Sequence, residues 1–391
     1  MTRPTDAWLA RVADIAEVVR ADAVAADRER RLGDKTVQAL IDAGLHRMLL
    51  PPELGGGGLQ WVESFPVIEA LSRIDGATGW NTSIWAQTPT LALTLADESA
   101  RDEVLADDAL CSASLNWFNL RARRVDGGYV FDGKATFLSG SSHALWLSLG
   151  GWLVDDDGHP QFADGAPAVI RSIVPMSSVP VADTWHVSGL RATASNDAPV
   201  DGLFVPDGFI SDVARGRALE WLAADRANHV PLQSRFGAPF AYVGLGIAMG
   251  ALDALGDIAA ERAALGSSAS LRERADVQLD VARARALVES GRAFVDQTWA
   301  GVLGKVERGE RVTIEDQAML RLSYVTAAEH AATATDLVRR TAGSAGIYES
   351  DRIERCWRDA HVVPAHAMVS PRAYERVGKV LLGLEPGPGL L

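Results

Sequence analysis

Apolar residues recur at intervals of three and four from Asp6 to about Asp107, as in KTVQALIDAGLHRMLL and WVESFPVIEALSRI. This is the spacing of one helical face, so the first part of the chain is predicted to be helical, interrupted at PPELGGGG. From Ala109 to roughly Val213 the rhythm shortens to alternating or β-branched runs, GGYVFDGKATFLSG, ALWLSLGGWLV, AVIRSIVPM and DGLFVPDGF, separated by Gly, Pro and Asp-Gly turns. These are strand and hairpin signals. From about Glu220 the helical period returns in LRERADVQLDVARARALVESGRAFVDQTWAGVLGKV and TIEDQAMLRLSYVTAAEHAATATDLVRRTAG. Both exceed an ordinary globular helix and read as members of an antiparallel bundle.

The pattern therefore predicts an α+β chain, mainly α, in three parts. They are an N-terminal helical domain over 1–108, a central β-barrel or sandwich domain over 109–215, and a C-terminal four-helix bundle over 216–391.

Composition narrows the function. The 391 residues are 48% hydrophobic, enough for more than one packed domain, and carry a net charge of -13. That sign argues against nucleic acid or an anionic membrane as the main partner. The N-terminus MTRPTDAWLARVADIAEVVRADA mixes charges with apolar residues and lacks a signal-peptide run, so a cytoplasmic protein is expected. The weakly charged FGAPFAYVGLGIAMGALDALG, beginning at Phe236, reads as a buried helix. Cys111 and Cys356 have no metal-like spacing and are expected to be packing residues. GLGIAMG at Gly244 lacks the spacing and the preceding strand of a dinucleotide fingerprint, and no GxSxG elbow or HExxH helix occurs. No metal site is expected.

Four segments, in order, carry a resemblance: AGLHRMLLPPELGGGG (Ala43 to Gly58), YVFDGKATFLSGSSHALW (Tyr129 to Trp146), TWHVSGLRATASND (Thr184 to Asp197) followed by LFVPDGF, and RTAGSAGIYESDRIERCWRDAH (Arg340 to His361). Together they resemble the acyl-CoA dehydrogenase superfamily over nearly the whole chain. The resemblance implies a flavin ring held between the β domain and the C-terminal bundle, commonly in a homotetramer.

The same resemblance divides dehydrogenases from oxygenases. Many superfamily dehydrogenases place a catalytic carboxylate shortly after the Arg-Asp helix. Here that stretch is AHVVPAHAMV, with no acid between Asp359 and Glu375 and with His366 near the expected place. This is similar to the two-component flavin-dependent monooxygenases, which oxygenate small aromatic or polycyclic substrates. The resemblance implies reduced FMN or FAD (FMNH2/FADH2) from a separate NAD(P)H-dependent flavin reductase, O2 as co-substrate, and a C4a-(hydro)peroxyflavin.

His366 is the candidate catalytic imidazole, able to hydrogen-bond or to move a proton near neutral pH. A histidine there also suits capping a buried carbonyl. Pro364 is expected to end the Arg-Asp helix, leaving His366 on a connector before a new helix begun by Ser370 and Pro371 and turning His361 away. Ser139 is expected, from the resemblance, to set its hydroxyl near flavin N5, with Ser141 and Ser142 as competitors. Ser195 and Asn196 are candidate cofactor contacts, although a surface turn fits them as well. Arg358 and Asp359 read as a scaffold ion pair. Among the tryptophans at 80, 85, 117, 146 and 185, Trp117 and Trp85 are the first candidates for the walls of an aromatic pocket, and Gln87 for a polar contact in it.

One departure qualifies the hydroxylase reading. Related hydroxylases often carry a further histidine in the helix after TGW, whereas TGWNTSIWAQTPTLALTL offers Gln87 and Thr88, which leaves C-, N- and S-oxygenation open. An acyl-CoA dehydrogenase with a relocated base and a non-catalytic flavin-binding or ligand-binding relative stand as alternatives.

Overall fold

The structure is a computed structural model that describes residues 4–106, 109–114, 117–163, 166–211, 224–261 and 270–387. Helix α1 (Pro4–Glu29) turns Trp8, Val12, Ile15, Val19 and Ala23 inward as one stripe. Helices α2 (Asp34–Asp42), α3 (Phe65–Ile74), α4 (Gly76–Gln87) and α5 (Glu98–Val104) follow. Asp75 starts α4 by accepting the Thr78 N–H at 2.9 Å, an N-cap that satisfies one of the free amides of the first turn.

The strands β1 (Cys111–Ser114), β2 (Leu120–Val125), β3 (Gly128–Leu138), β4 (Trp146–Val154), β5 (Val169–Pro175) and β6 (Asn196–Pro206) form one six-stranded sheet. On one edge of β4, β1 pairs in parallel with Trp146–Leu149 and β2 in parallel with Trp152–Val154, while β5 pairs antiparallel on the other edge. Strand β3 runs antiparallel between β2 and β6. The expected barrel or sandwich is a half-barrel among the described residues. Its own core includes Phe131, Leu147 and Val200. A register shift between Ala135 and Leu138 puts Phe137 at φ 60°, and this bulge ends β3 just before Ser139.

The C-terminal helices are α6 (Gly237–Glu261), α7 (Ala275–Glu307), α8 (Ile314–Ala342), α9 (Arg352–Val362) and α10 (Ala373–Leu381). The Phe236 stretch predicted to be a buried helix is α6, with Phe240, Leu245 and Ile247 inaccessible between α3, α8 and α9. A Cβ at Gly246 would lie 2.4 Å from the Glu69 carbonyl, so glycine is what lets α6 and α3 approach this closely. Phe65 stacks on Tyr242 at 5.0 Å and Trp80 meets Phe240 at 4.6 Å. One core therefore runs through both helical segments, while the sheet keeps a separate core.

Helix α9 opens on Asp351, which accepts the Ile353 N–H at 2.9 Å, and gives way at Pro364 to a single 3-10 turn, Val363–Ala365. The next helix begins at Ala373, two residues later than Pro371 implied. Bonds from Ala373 N–H to Ser370 C=O and from Tyr374 N–H to Pro371 C=O, both 3.0 Å, tighten residues 370–374 into a turn before α-helical spacing is established.

Candidate active site

A cavity of about 300 Å³ lies where the end of β3 meets α4, α6 and the connector after α9. Its walls include Trp80, Phe137, Trp185 and Phe240, with Ser139 and His366 among its polar members. Among the described residues, no Asp or Glu lines it.

The polar side of the cavity is a buried row of hydroxyls. Trp80 Nε1–H donates to Ser139 Oγ at 3.0 Å. Ser139 Oγ and Ser195 Oγ are 2.7 Å apart, as are Ser195 Oγ and Thr193 Oγ1. Thr193 then donates to the Leu190 carbonyl at 2.8 Å, which also receives Trp185 Nε1–H at 3.1 Å. This row exists because residues 190–194 turn sharply, with Leu190 at φ 50° and Ala194 at φ 46°. Such backbone is costly for residues bearing a Cβ and persists only when its surroundings hold it. Here Gly140 N–H bonds to Thr193 C=O at 2.7 Å, and Ser141 Oγ donates to Ala194 C=O at 2.9 Å.

The C-terminal bundle supplies the second hold. Asp359 Oδ1 accepts the Leu190 N–H at 2.5 Å. Gly189 lies against the same helix, where an added Cβ would be 2.3 Å from the Arg358 carbonyl oxygen. Burial and then the neighbouring Asp75 push the Asp359 carboxyl up to about 7. The expected Arg358–Asp359 ion pair does not form. Neighbours on a helix point about 100° apart, and Arg358 instead reaches Asp27 at 2.9 Å and Glu354 at 2.8 Å.

His366 sits on the connector, its ring 4.1 Å from Phe240 and 5.5 Å from Trp80 between centroids. Its Nδ1 accepts the Met368 N–H at 3.3 Å. Burial, with the Arg321 guanidinium nearby, pushes the imidazole down to about 4, so it is neutral at physiological pH. In a neutral ring whose Nδ1 accepts, the proton belongs on Nε2, which leaves His366 one donor, Nε2–H. Arg321 stands behind it on α8, donating from Nη1 to Met368 C=O at 2.5 Å. Its Nε and Nη2 have no hydrogen-bond partner among the described residues, and burial pushes its own pKa down to about 10.

The other sequence candidates fall in different places. Trp85 is fully buried but outside the cavity wall, its ring edge toward His143 at 6.4 Å. Gln87 is buried at the end of α4, also outside the wall, and the tryptophan of α4 that faces the cavity is Trp80. Asn196 does not line the cavity either. Its Oδ1 accepts the Thr184 and Trp185 amides at 3.0 Å each, fixing the backbone that carries the Trp185 wall. Ser141 holds the 190–194 loop instead of facing the cavity. Trp117 begins a 3-10 turn, and its side chain lies outside the described residues. His361 is exposed on α9, bonded to the Trp357 carbonyl at 2.7 Å, and Trp146 stacks on Phe209 away from the site. Trp80, Phe137, Trp185, Phe240, Thr193 and Leu190 are among the members of the site that the sequence reading did not assign, and of these only Trp80 and Trp185 carried a signal, as two of the five tryptophans weighed for the wall.

The N-terminal domain of acyl-CoA dehydrogenase matches residues 5–107 and its C-terminal domain residues 238–371. The oxygenase subunit HsaA of a flavin-dependent monooxygenase from Mycobacterium tuberculosis is 30% identical over 411 residues, covering 98% of each chain. The chain belongs to the acyl-CoA dehydrogenase superfamily, in its flavin-dependent monooxygenase branch. The superfamily fold is equally clear in three dimensions, where the crystal structure of the HsaA monooxygenase from M. tuberculosis superposes with a TM-score of 0.84 at 27% identity over the full length of both chains. Another relative is the oxygenase component of the FADH(2)-dependent resorcinol hydroxylase of a Rhizobium species, 28% identical and covering 98% of this chain and 96% of its own.

Proposed function

We infer that the protein is the oxygenase component of a two-component flavin-dependent monooxygenase that inserts one oxygen atom of O2 into a small aromatic substrate. The observation that carries this reading is the cavity itself, aromatic on its walls and free of lining carboxylates among the described residues, with a neutral histidine and a buried serine both lining it. α-Proton abstraction from an acyl thioester calls for a base, and His366 Nδ1 already accepts a backbone amide.

The residues suit a reduced flavin. A largely apolar cavity lined by Trp80, Phe240 and Trp185 suits an aromatic ring system, and Ser139 supplies a hydroxyl in its wall. Reduced flavin, when bound, supplies the two electrons that activate O2. The protein's own part is to hold and shield. The aromatic walls exclude water, which protects reactive oxygen species from hydrolytic loss. His366 Nε2–H is available to donate to a substrate or oxygen-derived oxygen atom, and Arg321 fixes the connector through the Met368 carbonyl.

Reduced FAD is the proposed cofactor over FMN, supported by the name of the resorcinol hydroxylase relative. A separate NAD(P)H-dependent reductase is proposed as its source, supported by the relatives being named as oxygenase subunits or components. A homotetramer is proposed on the superfamily resemblance, and light scattering would test it.

Stopped-flow mixing of the protein and photoreduced FAD with oxygenated buffer is expected to give a long-lived absorbance transient unlike either reduced or oxidised flavin. Reoxidation at the rate of free flavin would sink the oxygenase reading, and bleaching of bound oxidised flavin by an acyl-CoA would favour dehydrogenation.

A further inference from the structure

The direction of every hydrogen bond in the Trp80-to-Leu190 row is fixed by its two ends. The indole N–H of Trp80 can only donate, and the Leu190 carbonyl can only accept. Thr193 Oγ1 is 2.8 Å from that carbonyl oxygen, a contact that is attractive only with the threonine proton between them. Thr193 must then accept at its other side, so Ser195, 2.7 Å away, donates to it. Ser195 in turn accepts from Ser139 at 2.7 Å. Ser139 has thus committed its one proton to Ser195 and one lone pair to Trp80. What it retains for the cavity it lines is a single acceptor and no donor. All three residues are buried, and the donor at one end and the acceptor at the other set the sense of the row.

Flavin reduction changes the sign of the group such a serine would meet. Oxidised N5 is an acceptor, and reduced N5 bears a proton. We propose that the one-way hydroxyl row Ser139–Ser195–Thr193, held by Trp80 at one end and the Leu190 carbonyl at the other, selects the reduced flavin over the oxidised form, with Ser195 and Thr193 as positioning residues. This rests on the flavin reading above and deepens it. Loading from a reductase and release after turnover would then be driven partly by the polarity of the protein's own hydrogen bonds.

The test is an anaerobic titration of the purified full-length chain with oxidised and with photoreduced FAD, giving the ratio of the two dissociation constants. Ser195→Ala removes the acceptor for the Ser139 proton and lets that hydroxyl turn as a donor into the cavity. The ratio in favour of reduced flavin is expected to fall by about tenfold, the size of one net hydrogen bond, which for a two-electron couple lowers the bound midpoint potential by about 30 mV. Thr193→Val should act in the same direction, and Thr193→Ser should restore the wild-type ratio. A second measurement needs no variant. The wild-type preference should fall to the Ser195→Ala value with 5-deaza-FAD, whose ring carbon takes the place of N5. Unchanged ratios in the variants and with the deaza analogue would overturn the inference while leaving flavin binding intact. A wild-type chain that binds neither redox state would overturn the functional reading and the inference together.

Discussion

The Asp359 carboxylate accepts the Leu190 N–H at 2.5 Å, and Leu190 is one of the two left-handed residues that shape the hydroxyl side of the cavity. A helix of the C-terminal bundle thereby holds a strained loop of the β segment in place. Asp359→Asn keeps an oxygen acceptor and is expected to unfold in urea within about 1 kcal/mol of the wild type. Asp359→Ala leaves a buried amide unpaired and should cost about 1–3 kcal/mol. Equal losses in the two variants would show that charge, and not the bond to Leu190, is what Asp359 contributes.

Stability should depend on pH through two groups of opposite sign. His366 titrates near 4 when folded against 6.5 in an unperturbed chain, so the unfolded state binds more protons between these values. Its contribution is complete above about pH 6.5 and is lost as pH falls towards 4. Asp359 titrates near 7 when folded against 3.8 otherwise, so the folded state binds the extra proton. Its contribution is complete below about pH 3.8 and is lost as pH rises through 7. Urea midpoints between pH 4 and 7 should therefore rise with pH in Asp359→Asn and fall with pH in His366→Ala. Parallel profiles would contradict the two shifts.

His366 is expected to appear in nitrogen NMR spectra as the Nε2–H tautomer, with no titration down to about pH 5. The variant His366→Ala should keep its far-UV circular dichroism and its flavin affinity but release more hydrogen peroxide per NADH consumed in the coupled system. Unchanged coupling would remove His366 from the chemistry.

Arg321 is a buried cation whose Nε and Nη2 lack hydrogen-bond partners among the described residues. Burying charge without compensation is unfavourable, so Arg321→Met should leave the melting temperature equal or higher. The same variant frees the Met368 carbonyl and removes the positive charge behind the imidazole, so the His366 pKa should rise and peroxide leakage should increase. A large drop in melting temperature would indicate that Arg321 serves the bundle more than the connector.

Much of this architecture is visible in the sequence because helical and alternating apolar periods report faces of elements that are half buried. The positions of α1, β3 and α8, and the break at Pro364, follow from such patterns. Helix α4 is different, since all twelve of its residues are buried and no polar stripe marks which side is which. Trp80 and Trp85, five residues apart, lie about 140° apart around it, and residue type alone does not choose between them. The hydroxyl row was hidden for another reason. It depends on left-handed backbone at Leu190 and Ala194, which the residue types disfavour and only the surrounding bonds impose. The contact at Gly189 is likewise a tertiary fact, and Gly189→Ala tests it. Overpacking of this kind costs about 1–3 kcal/mol or more, which thermal unfolding would register, and an unaltered melting temperature would mean that α9 and the loop can part.

Pro364 releases His366 from the hydrogen-bonded ladder of α9 onto a connector with its own 3-10 turn. A side chain carried this way can be exchanged without re-registering the helices on either side of it. The bundle is then a frame shared with dehydrogenases, and on the function proposed above it is this short segment that carries the imidazole offered to the chemistry.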